Sequence, residues 1–538
     1  MKKRLIKVLS IFAVAAALTA ACSGGGNTGS GTSKESLQNG SAKGEEASDS
    51  GKNGAASGGE SVFTYIVQGD TGNSFNPMTA DDRWGLMLAH AVYAPAYHIY
   101  SDGTYDYILA QSMEASEDGL SYTMKLKDGL KWSDGQPLTA DDIVFTYEKI
   151  NESTQNLYVG DKPIKVEKQD DTTVIFKLPA VSASAAEMLS DEVSILPKHI
   201  FEGRASFDVN LIEEKPVGAG PYVFEEYKTG EYIKFKKNPY YVKGEAAIDT
   251  IIYRNIEQSD TANLTMQAGE ADAMIVPPDL LEPYIDNEAF EIHNYSEGRV
   301  PYIRLNSASE KMKDKKHREG VLYALDRDEI LLAAYTDRKF YELGYSFLPF
   351  DNKYYTDKVQ KWEHDVEKAK ELTKNGAKNL KLCYISEDSM HERMALTIQS
   401  ELKEAGIQVE LSGVNTPAYM KLTNDNTVTD YDMFIGGYVM GSDPDTFAML
   451  FSSKKDNRLN FHNEEIDRLF EEGNATLDES KRKEIYDKVQ KLVSEEAIYY
   501  PLGTNLRTLV TSKRLDGVDE AKLVPIYTFG DLSKLKFK

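Results

Sequence analysis

The sequence predicts an α/β protein with more than one lobe, and two observations support this prediction. The chain has 538 residues, whereas a single hydrophobic core stops growing at roughly 250–300 residues. Segments with strand and helix patterns alternate along the chain, as expected of sheets that pack against helices. We therefore expect at least two cores.

The N-terminal residues have the composition of a secretory signal. Residues 2–4 are basic, and residues 9–21 are mostly apolar but too few to cross a bilayer about 30 Å thick. Two alanines precede Cys22, and this arrangement resembles the cleavage box of bacterial lipoproteins. The resemblance implies that residues 1–21 are a signal peptide and that Cys22 carries two acyl chains, which give stable membrane anchoring.

A flexible tether is predicted for residues 22–61. This segment consists almost wholly of Gly, Ser, Asn, Lys, Glu and Ala, with Leu37 as its one large apolar residue. Such a composition cannot bury enough apolar surface to fold. The folded part of the chain is expected to begin near Val62.

Strand and helix patterns follow in order after the tether. Val62–Val67 is a mostly apolar run typical of a strand, and residues 122–126 alternate between apolar and polar as in a half-buried strand. Residues 139–142 have the pattern of a capping box, which predicts a helix through Ile150. Further strands are predicted at 174–178 and 233–235.

The C-terminal half contains a predicted parallel crossover unit. Residues 380–385 are typical of a strand, and Met394, Ile398 and Leu402 recur on one face of a helix that Gly406 ends. Residues 408–411 give the next strand. Strand, helix and strand in this order favour a parallel pair.

A second amphipathic helix is predicted shortly before residue 500. Ile485, Val489 and Leu492 recur at helical spacing. Thr476 and Glu479 have the spacing of a capping box, which predicts Thr476 as the N-cap residue.

Charge and motif content exclude several function classes. The net charge of −24 disfavours nucleic acid and anionic membrane surfaces as partners. Cys383 lies in a predicted buried strand and is expected to act as a small apolar side chain. The sequence lacks the nucleophile elbow, the phosphate loop, His-Glu-x-x-His and Cys-x-x-Cys, and its eight histidines are scattered. We therefore expect no catalytic residues, no cofactor and no metal site.

A series of motifs covers nearly the whole chain that follows the tether. In order, they occur at residues 75–77 (FNP), 109–110 (LA), 118–126 (DGLSYTMKL), 129–142 (GLKWSDGQPLTADD), 217–222 (VGAGPY), 238–241 (NPYY), 269–272 (GEAD), 324–327 (ALDR), 442–445 (SDPD) and 500–502 (YPL). The series resembles the peptide and nickel family (family 5) of extracellular solute-binding lipoproteins of ATP-driven importers, and in particular its oligopeptide-binding members. Most of these motifs have structural explanations, since DGQP is turn chemistry before a helix and Trp132 is expected in the core.

The resemblance implies a two-lobed, periplasmic-binding-protein-like fold of class II, the Venus-flytrap type, with an extra subdomain on lobe one. The two crossings between lobes are expected near residues 303–306 and 499–503. The expected limits are 62–95, 211–302 and 501–538 for lobe one, 96–210 for its subdomain, and 303–500 for lobe two. A ligand would bind in the cleft and be buried by hinge closure.

The resemblance also implies a set of ligand-binding residues. In peptide-binding members a Gly-Trp strand pairs with the peptide backbone, and an Asp four residues after that Gly holds the peptide's α-ammonium. Here Gly437 and Tyr438 stand at the Gly-Trp positions, and Gly441 stands at the Asp position; Asp443 or Asp445 could serve in its place, although Asp-Pro is usually a structural turn. The expected ligand-binding residues are Gly436, Gly437, Tyr438, Val439, Met440, Gly441, Asp443, Asn76 and Trp84.

The function implied by the resemblance is capture of peptides and their delivery to the membrane permease of an ABC importer. The alternatives are the same role for a saccharide or a nickel chelate and, more distantly, a cell-surface hydrolase or adhesin. Without the Asp, short peptides with a free amine become questionable ligands, because a buried ammonium without a counter-charge costs several kcal/mol. The protein is expected to be a monomer, lipid-anchored at the extracellular face of the cell membrane, or in the periplasm if the organism has an outer membrane.

Overall fold

The computed structural model describes residues 60–538, apart from 81, 155–156, 191–192, 440 and 456. The predicted signal peptide, Cys22 and nearly all of the tether lie outside the described residues. The backbone N and the hydroxyl of Ser61 both donate to Asp249 Oδ2, at 2.8 and 2.7 Å, and the predicted strand Val62–Val67 follows directly. None of the described helices has both the length and the apolar character needed to cross a bilayer.

The largest sheet has eight strands and contains both parallel and antiparallel pairs. In spatial order its strands are Tyr222–Lys228, Tyr232–Lys237, Thr250–Asn255, Val62–Val67, Ala273–Ile275, Gly503–Ser512 and Phe290–Ser296, with Tyr341–Leu343 also paired to Gly503–Ser512. Val62–Val67 is parallel to both of its neighbours. Its apolar composition therefore suits a central strand covered on both faces.

A second sheet has five strands and contains the predicted crossover unit. In spatial order its strands are Gln408–Val414, Asn379–Ile385, Met433–Val439, Arg299–Leu305 and Tyr499–Pro501. The first two are parallel and are connected by the helix Ser389–Glu404, after which Gly406 has φ +77°, so the crossover prediction is confirmed. Met433–Val439 is termed the glycine strand below, and Arg299–Leu305 the crossing strand.

The third sheet is antiparallel and has four strands: Ala110–Ala115, Ser121–Leu126, Thr173–Lys177 and Lys165–Asp170. Ser121–Leu126 alternates between buried and exposed residues as predicted. The helix Ala140–Ser153 has the predicted capping box of Thr139 and Asp142, and Trp132 is buried in the adjoining core, also as predicted. Two-stranded ribbons pair Ser74–Phe75 with Val209–Asn210, Tyr97–Ile99 with Tyr105–Tyr107, Tyr158–Val159 with Lys162–Pro163, Leu515–Asp516 with Lys536–Phe537, and Leu523–Val524 with Thr528–Phe529.

The remaining α-helices of the described residues pack around these sheets. They are Arg83–Val92, Ala185–Met188, Lys198–Phe201, Ser259–Gln267, Lys315–Tyr323, Arg327–Tyr335, Val366–Leu372, Thr416–Asn424, Ala448–Phe451, Glu464–Ala475, Glu479–Glu495 and Val518–Ala521. The predicted N-cap of Glu479–Glu495 is wrong. Asp478 caps this helix by accepting from Lys481 N at 2.9 Å, because the Thr476 hydroxyl instead donates to Glu472 O at the end of the preceding helix, at 2.7 Å.

Apart from the short strand Tyr341–Leu343, the described chain passes twice between the eight-stranded and five-stranded sheets. The first passage is Glu297–Gly298, earlier than the predicted 303–306, because residues 299–305 are already paired with the glycine strand. The second passage is Leu502, within the predicted 499–503. Tyr341–Leu343, inside the predicted lobe two, pairs with residues 503–505 of the eight-stranded sheet. The limits of the lobes and the subdomain stay predictions.

The loop at residues 218–221 brings two backbone segments into direct contact. Gly220 N donates to Val92 O at 2.7 Å. A Cβ on Gly220 would lie 2.7 Å from that same oxygen, which is too close for a side chain. Glycine is therefore required here by packing against the helix Arg83–Val92.

Candidate ligand-binding cleft

The glycine strand has one edge that is only partly paired. It pairs with the crossing strand along its whole length, but with Asn379–Ile385 at Met433 and Phe434 alone. The next carbonyl, that of Ile435, accepts from the Tyr419 hydroxyl at 2.5 Å. Beyond it, no strand of the described residues covers this edge.

The pairing of Pro301 determines which backbone groups face the open edge. Pro301 O accepts from Leu502 N at 2.9 Å, so the backbone of Pro301 faces away from the glycine strand. In an antiparallel pair, the backbone N–H and C=O groups of two opposite residues either both point towards the partner strand or both point away from it. Gly437 is opposite Pro301. The N–H and C=O of Gly437, and by alternation those of Val439, therefore point at the open edge.

The glycines of this strand are covered by side chains of the protein itself. A Cβ on Gly436 would lie 2.6 Å from the Tyr302 hydroxyl and 2.8 Å from that of Tyr419, and a Cβ on Gly437 would overlap Arg299 Nε. The glycines thus admit these side chains onto the faces of the strand. Approach of another backbone remains possible along the edge.

Tyr438, one of the expected ligand-binding residues, has its ring packed into the core. The side chain is 8% exposed and stacks on Tyr302 with ring centroids 5.3 Å apart, and Tyr302 stacks in turn on Tyr499 at 4.5 Å. Side chains of a strand point to the faces of the sheet and not along its edge, so the Tyr438 ring does not lie in the open edge beside Gly437 and Val439. Contact of Tyr438 with a ligand stays a prediction.

Gly441, at the position where the resemblance places an amine-binding Asp, lies against a carboxylate from another part of the chain. A Cβ on Gly441 would overlap Glu187 Oε1, and the Ser442 hydroxyl donates to Glu187 Oε2 at 2.7 Å. Glu187 belongs to the short helix Ala185–Met188. No pattern in the sequence indicated this contact. Met440, the neighbouring predicted residue, lies outside the described residues.

The predicted alternative that Asp443 anchors an amine conflicts with its position. Arg482 donates from Nη1 and Nη2 to the two carboxylate oxygens of Asp443, at 2.6 and 2.7 Å, and both side chains are buried. Asp443 also caps Pro444–Phe447, which is the structural-turn interpretation of Asp-Pro. Burial and the neighbouring Asp443 raise the pKa of Asp445 to about 6. Asp443 is thus engaged by an internal cation.

Asn76 and Trp84 lie elsewhere in the described structure. Asn76 Oδ1 accepts from Met78 N at 3.0 Å within a turn. The Trp84 ring occupies the space beside Gly69, next to the strand Val62–Val67. Their described hydrogen bonds and ring contacts do not involve the glycine strand, so the structure does not join these two residues to the rest of the predicted set.

Comparison with known proteins identifies the family. A family model described as "Bacterial extracellular solute-binding proteins, family 5 Middle" matches residues 104–458. This chain belongs to that family. It is 27% identical to the oligopeptide-binding protein AppA of Bacillus subtilis over 535 residues, which cover 93% of this chain and 94% of the relative.

Two solved structures support the same assignment for the fold. The ABC transporter substrate-binding protein CtaP of Listeria monocytogenes is 36% identical, with a TM-score of 0.82, and the match covers 89% of this chain and 99% of CtaP. A putative peptide-binding protein AppA of Clostridium difficile is 32% identical, also with a TM-score of 0.82, over 89% of this chain and 100% of that one. The family 5 protein described here therefore has the predicted two-lobed α/β fold.

The segment before the helix Ala185–Met188 contacts the end of the helix Glu464–Ala475. Asn474 Oδ1 accepts from Ser182 Oγ at 3.1 Å and from the N and Oγ of Ser184 at 3.2 and 3.0 Å, while Ala183 N donates to Asn474 O at 2.7 Å. These bonds link chain predicted as the subdomain to chain predicted as lobe two. The two segments are therefore held together in this conformation.

A group of charged residues at the first passage was missed by the sequence reasoning. Glu297 is buried, and its carboxylate accepts from Asn505 Nδ2 at 2.7 Å and pairs with Arg507 Nη2 at 2.5 Å and Arg83 Nη2 at 3.5 Å. Burial acts to raise the pKa of Glu297, but Arg507 and Asn505 hold it below its usual value. The available signal was Arg299, a charge at the start of a mostly apolar strand.

Proposed function

We propose that this family 5 protein captures a peptide in extended form and delivers it to the membrane permease of an ATP-driven importer. The observation that carries the proposal is the open backbone edge at Gly437 and Val439. An extended peptide can add to such an edge as a further strand, since its own N–H and C=O groups have the matching spacing. The names of relatives such as the oligopeptide-binding AppA of Bacillus subtilis support the same ligand class.

Backbone pairing of this kind predicts broad acceptance of peptide sequences. Main-chain hydrogen bonds do not depend on side-chain identity, so selectivity must come from length and from groups beside the edge. A saccharide or a nickel chelate, the alternative ligands, has no repeating amide to match the strand. The open edge therefore favours the peptide.

Capture is proposed to involve closure of two lobes with the limits expected from the sequence. The bonds of Asn474 to residues 182–184 would then form when the cleft closes. Closure by hinge motion would bury the ligand against the glycine strand. The protein is proposed to act as a monomer.

Membrane attachment is proposed to occur through Cys22, after removal of residues 1–21. The support is the basic start of the chain, the short apolar run and the two alanines before the cysteine. Changing Cys22→Ser should release the protein from the membrane fraction into the medium. Retention of the variant in the membrane fraction at the wild-type level would contradict the anchor.

Isothermal titration with backbone-methylated peptides tests the proposed pairing. The probes are alanine-rich peptides of two to nine residues, each with one amide N-methylated in turn. Methylation at the amide that pairs with the strand removes a donor and adds bulk, so we expect at least a tenfold loss at one or two positions and little change elsewhere. Equal affinity for every methylated peptide, or binding of saccharides or nickel–histidine in place of peptides, would contradict the proposal.

A further inference from the structure

Arg299 lies beside the open edge of the glycine strand. It is the first residue of the crossing strand, and its Nε fills the space that a Cβ of Gly437 would take. Gly437 in turn points its N–H and C=O at the open edge. Any group that pairs with Gly437 therefore comes close to the Arg299 guanidinium.

The guanidinium of Arg299 has no ion-pair partner among the described residues. Its Nη2 donates to His391 Nε2 at 3.5 Å, and burial lowers the pKa of His391 to about 4, so this ring is neutral at neutral pH. Asp388 acts on Arg299 from a greater distance. The Asp388 Oδ1 is already an acceptor for Met390 N and His391 N, at 2.9 and 3.3 Å, at the start of a helix.

The carboxylate nearest along the chain, Glu297, is already used. Arg507, Asn505 and Arg83 engage it. Positive charge is in excess at this passage, although the whole chain carries a net charge of −24. Three arginines, Arg83, Arg299 and Arg507, lie near two carboxylates, Glu297 and Asp388. Charges in partly buried surroundings interact more strongly than in water, so an added anion would be favoured here.

Other arginines of the described chain show how internal cations are normally satisfied. Arg482 is paired with both oxygens of Asp443, and Arg318 donates to backbone carbonyls, including Met312 O at 2.8 Å. Arg304 lies over the Phe434 ring and is 2% exposed, so it is sealed from solvent. Arg299, by contrast, is partly exposed and lacks a paired carboxylate.

We propose that Arg299 binds a carboxylate of the ligand, so that the cleft selects ligands with an anionic group beside the segment paired to Gly437. The proposal rests on the proposed peptide-binding function and specifies its ligand class. A guanidinium can donate two parallel hydrogen bonds to a carboxylate. In a peptide that carboxylate is either the C-terminus or the side chain of Asp or Glu, which have the same chemistry.

The test measures the affinity of wild-type protein for three sets of alanine-rich peptides by isothermal titration. One set has a free C-terminus and no acidic side chain, one is C-terminally amidated with no acidic side chain, and one is amidated with a single Glu moved along the chain. At least tenfold tighter binding of the first set over the second assigns the C-terminus. The same gain for one Glu position in the third set assigns a side chain.

Variants then connect the preference to Arg299. Arg299→Gln should remove the difference between acidic and acid-free peptides, whereas Arg299→Lys should keep part of it. Arg393→Gln is the matched control, because Arg393 is exposed on the helix that carries His391 and donates to Ala334 O at 2.7 Å. It should leave the preference unchanged. Thermal unfolding of each variant shows whether it is folded.

The outcomes separate this proposal from the proposed function. Equal wild-type affinity for all three sets overturns the role of Arg299 and leaves peptide binding intact. A folded Arg299→Gln that keeps the preference also overturns it. If the wild-type protein binds no peptide of any set, the peptide-binding function fails, and the proposed carboxylate site fails with it.

Discussion

The ion pair of Asp443 and Arg482 should be essential for stability, and its loss should not alter recognition of a ligand's amine. The Asp443 and Arg482 residues are 7% and 4% exposed, and two charge-assisted hydrogen bonds of 2.6 and 2.7 Å join them. Removing one member leaves an uncompensated buried charge, which costs about 3–5 kcal/mol. We therefore expect Asp443→Ala to lower the free energy of unfolding by about that amount.

Urea unfolding followed by tryptophan fluorescence measures this loss. Asp445→Asn is the matched control, because Asp445 is two residues away, is partly buried, and among the described residues its carboxylate accepts a single hydrogen bond, from Tyr486 at 3.4 Å. Its pKa is raised to about 6 by burial and by Asp443, so its charge costs stability at neutral pH, and Asp445→Asn should leave the protein at least as stable as the wild type. The double variant Asp443→Leu, Arg482→Met should recover part of the loss, since no charge is left unpaired.

Two results would refute this reasoning. One is an Asp443→Ala protein that unfolds at the wild-type urea concentration, which would mean that the pair contributes little. The other is a wild-type protein that prefers peptides with a free amine over acetylated ones, together with a folded Asp443→Asn protein that lacks this preference. That second result would restore Asp443 as the amine anchor.

Three further predictions concern other parts of the fold. Burial raises the pKa of Glu401 to about 9. Above the usual carboxyl pKa the folded protein therefore binds one more proton than the unfolded protein, and its stability falls with rising pH up to about 9, by at most about 1.4 kcal/mol per pH unit. Glu401→Gln should flatten this slope in urea unfolding measured at several pH values. Gly220→Ala should destabilise by about 1–3 kcal/mol in the same assay, because its Cβ would press on Val92 O, and an unchanged midpoint would refute the close approach. Asn474→Ala should speed ligand release about 5–30-fold in stopped-flow measurements, since it removes an acceptor that joins two segments. Thr476→Ala, whose hydroxyl bonds only to its own helix, is the control, and equal rates for the two would count against the link.

Local patterns in the sequence predicted much of the secondary structure. The crossover unit is confirmed because the helical face at Met394, Ile398 and Leu402 and the stop at Gly406 depend on neighbours a few residues away. The N-cap of the helix Glu479–Glu495 was wrong because a preceding helix competes for the Thr476 hydroxyl. A capping pattern alone does not show which of two adjacent helices will use it.

The sequence predicted which strand forms the candidate site, but it did not predict the charged residues that surround that strand. The resemblance to the Gly-Trp strand of peptide-binding members identified the glycine strand, whose open edge follows from its register with the crossing strand. The partners of Asp443 and Gly441, namely Arg482 and Glu187, come from distant parts of the chain. Such contacts depend on how sheets and helices pack, which periodicity in one segment does not specify.

The central claim is that this family 5 protein receives an extended peptide at the edge of its glycine strand. Its most direct test is native mass spectrometry of the protein purified under mild conditions, followed by release and fragmentation of whatever ligand it carries. We expect released masses that fragment as peptides of mixed sequence, and we expect none after unfolding and refolding in peptide-free buffer. A homogeneous saccharide or metal chelate, released stoichiometrically in place of peptides, would contradict the claim.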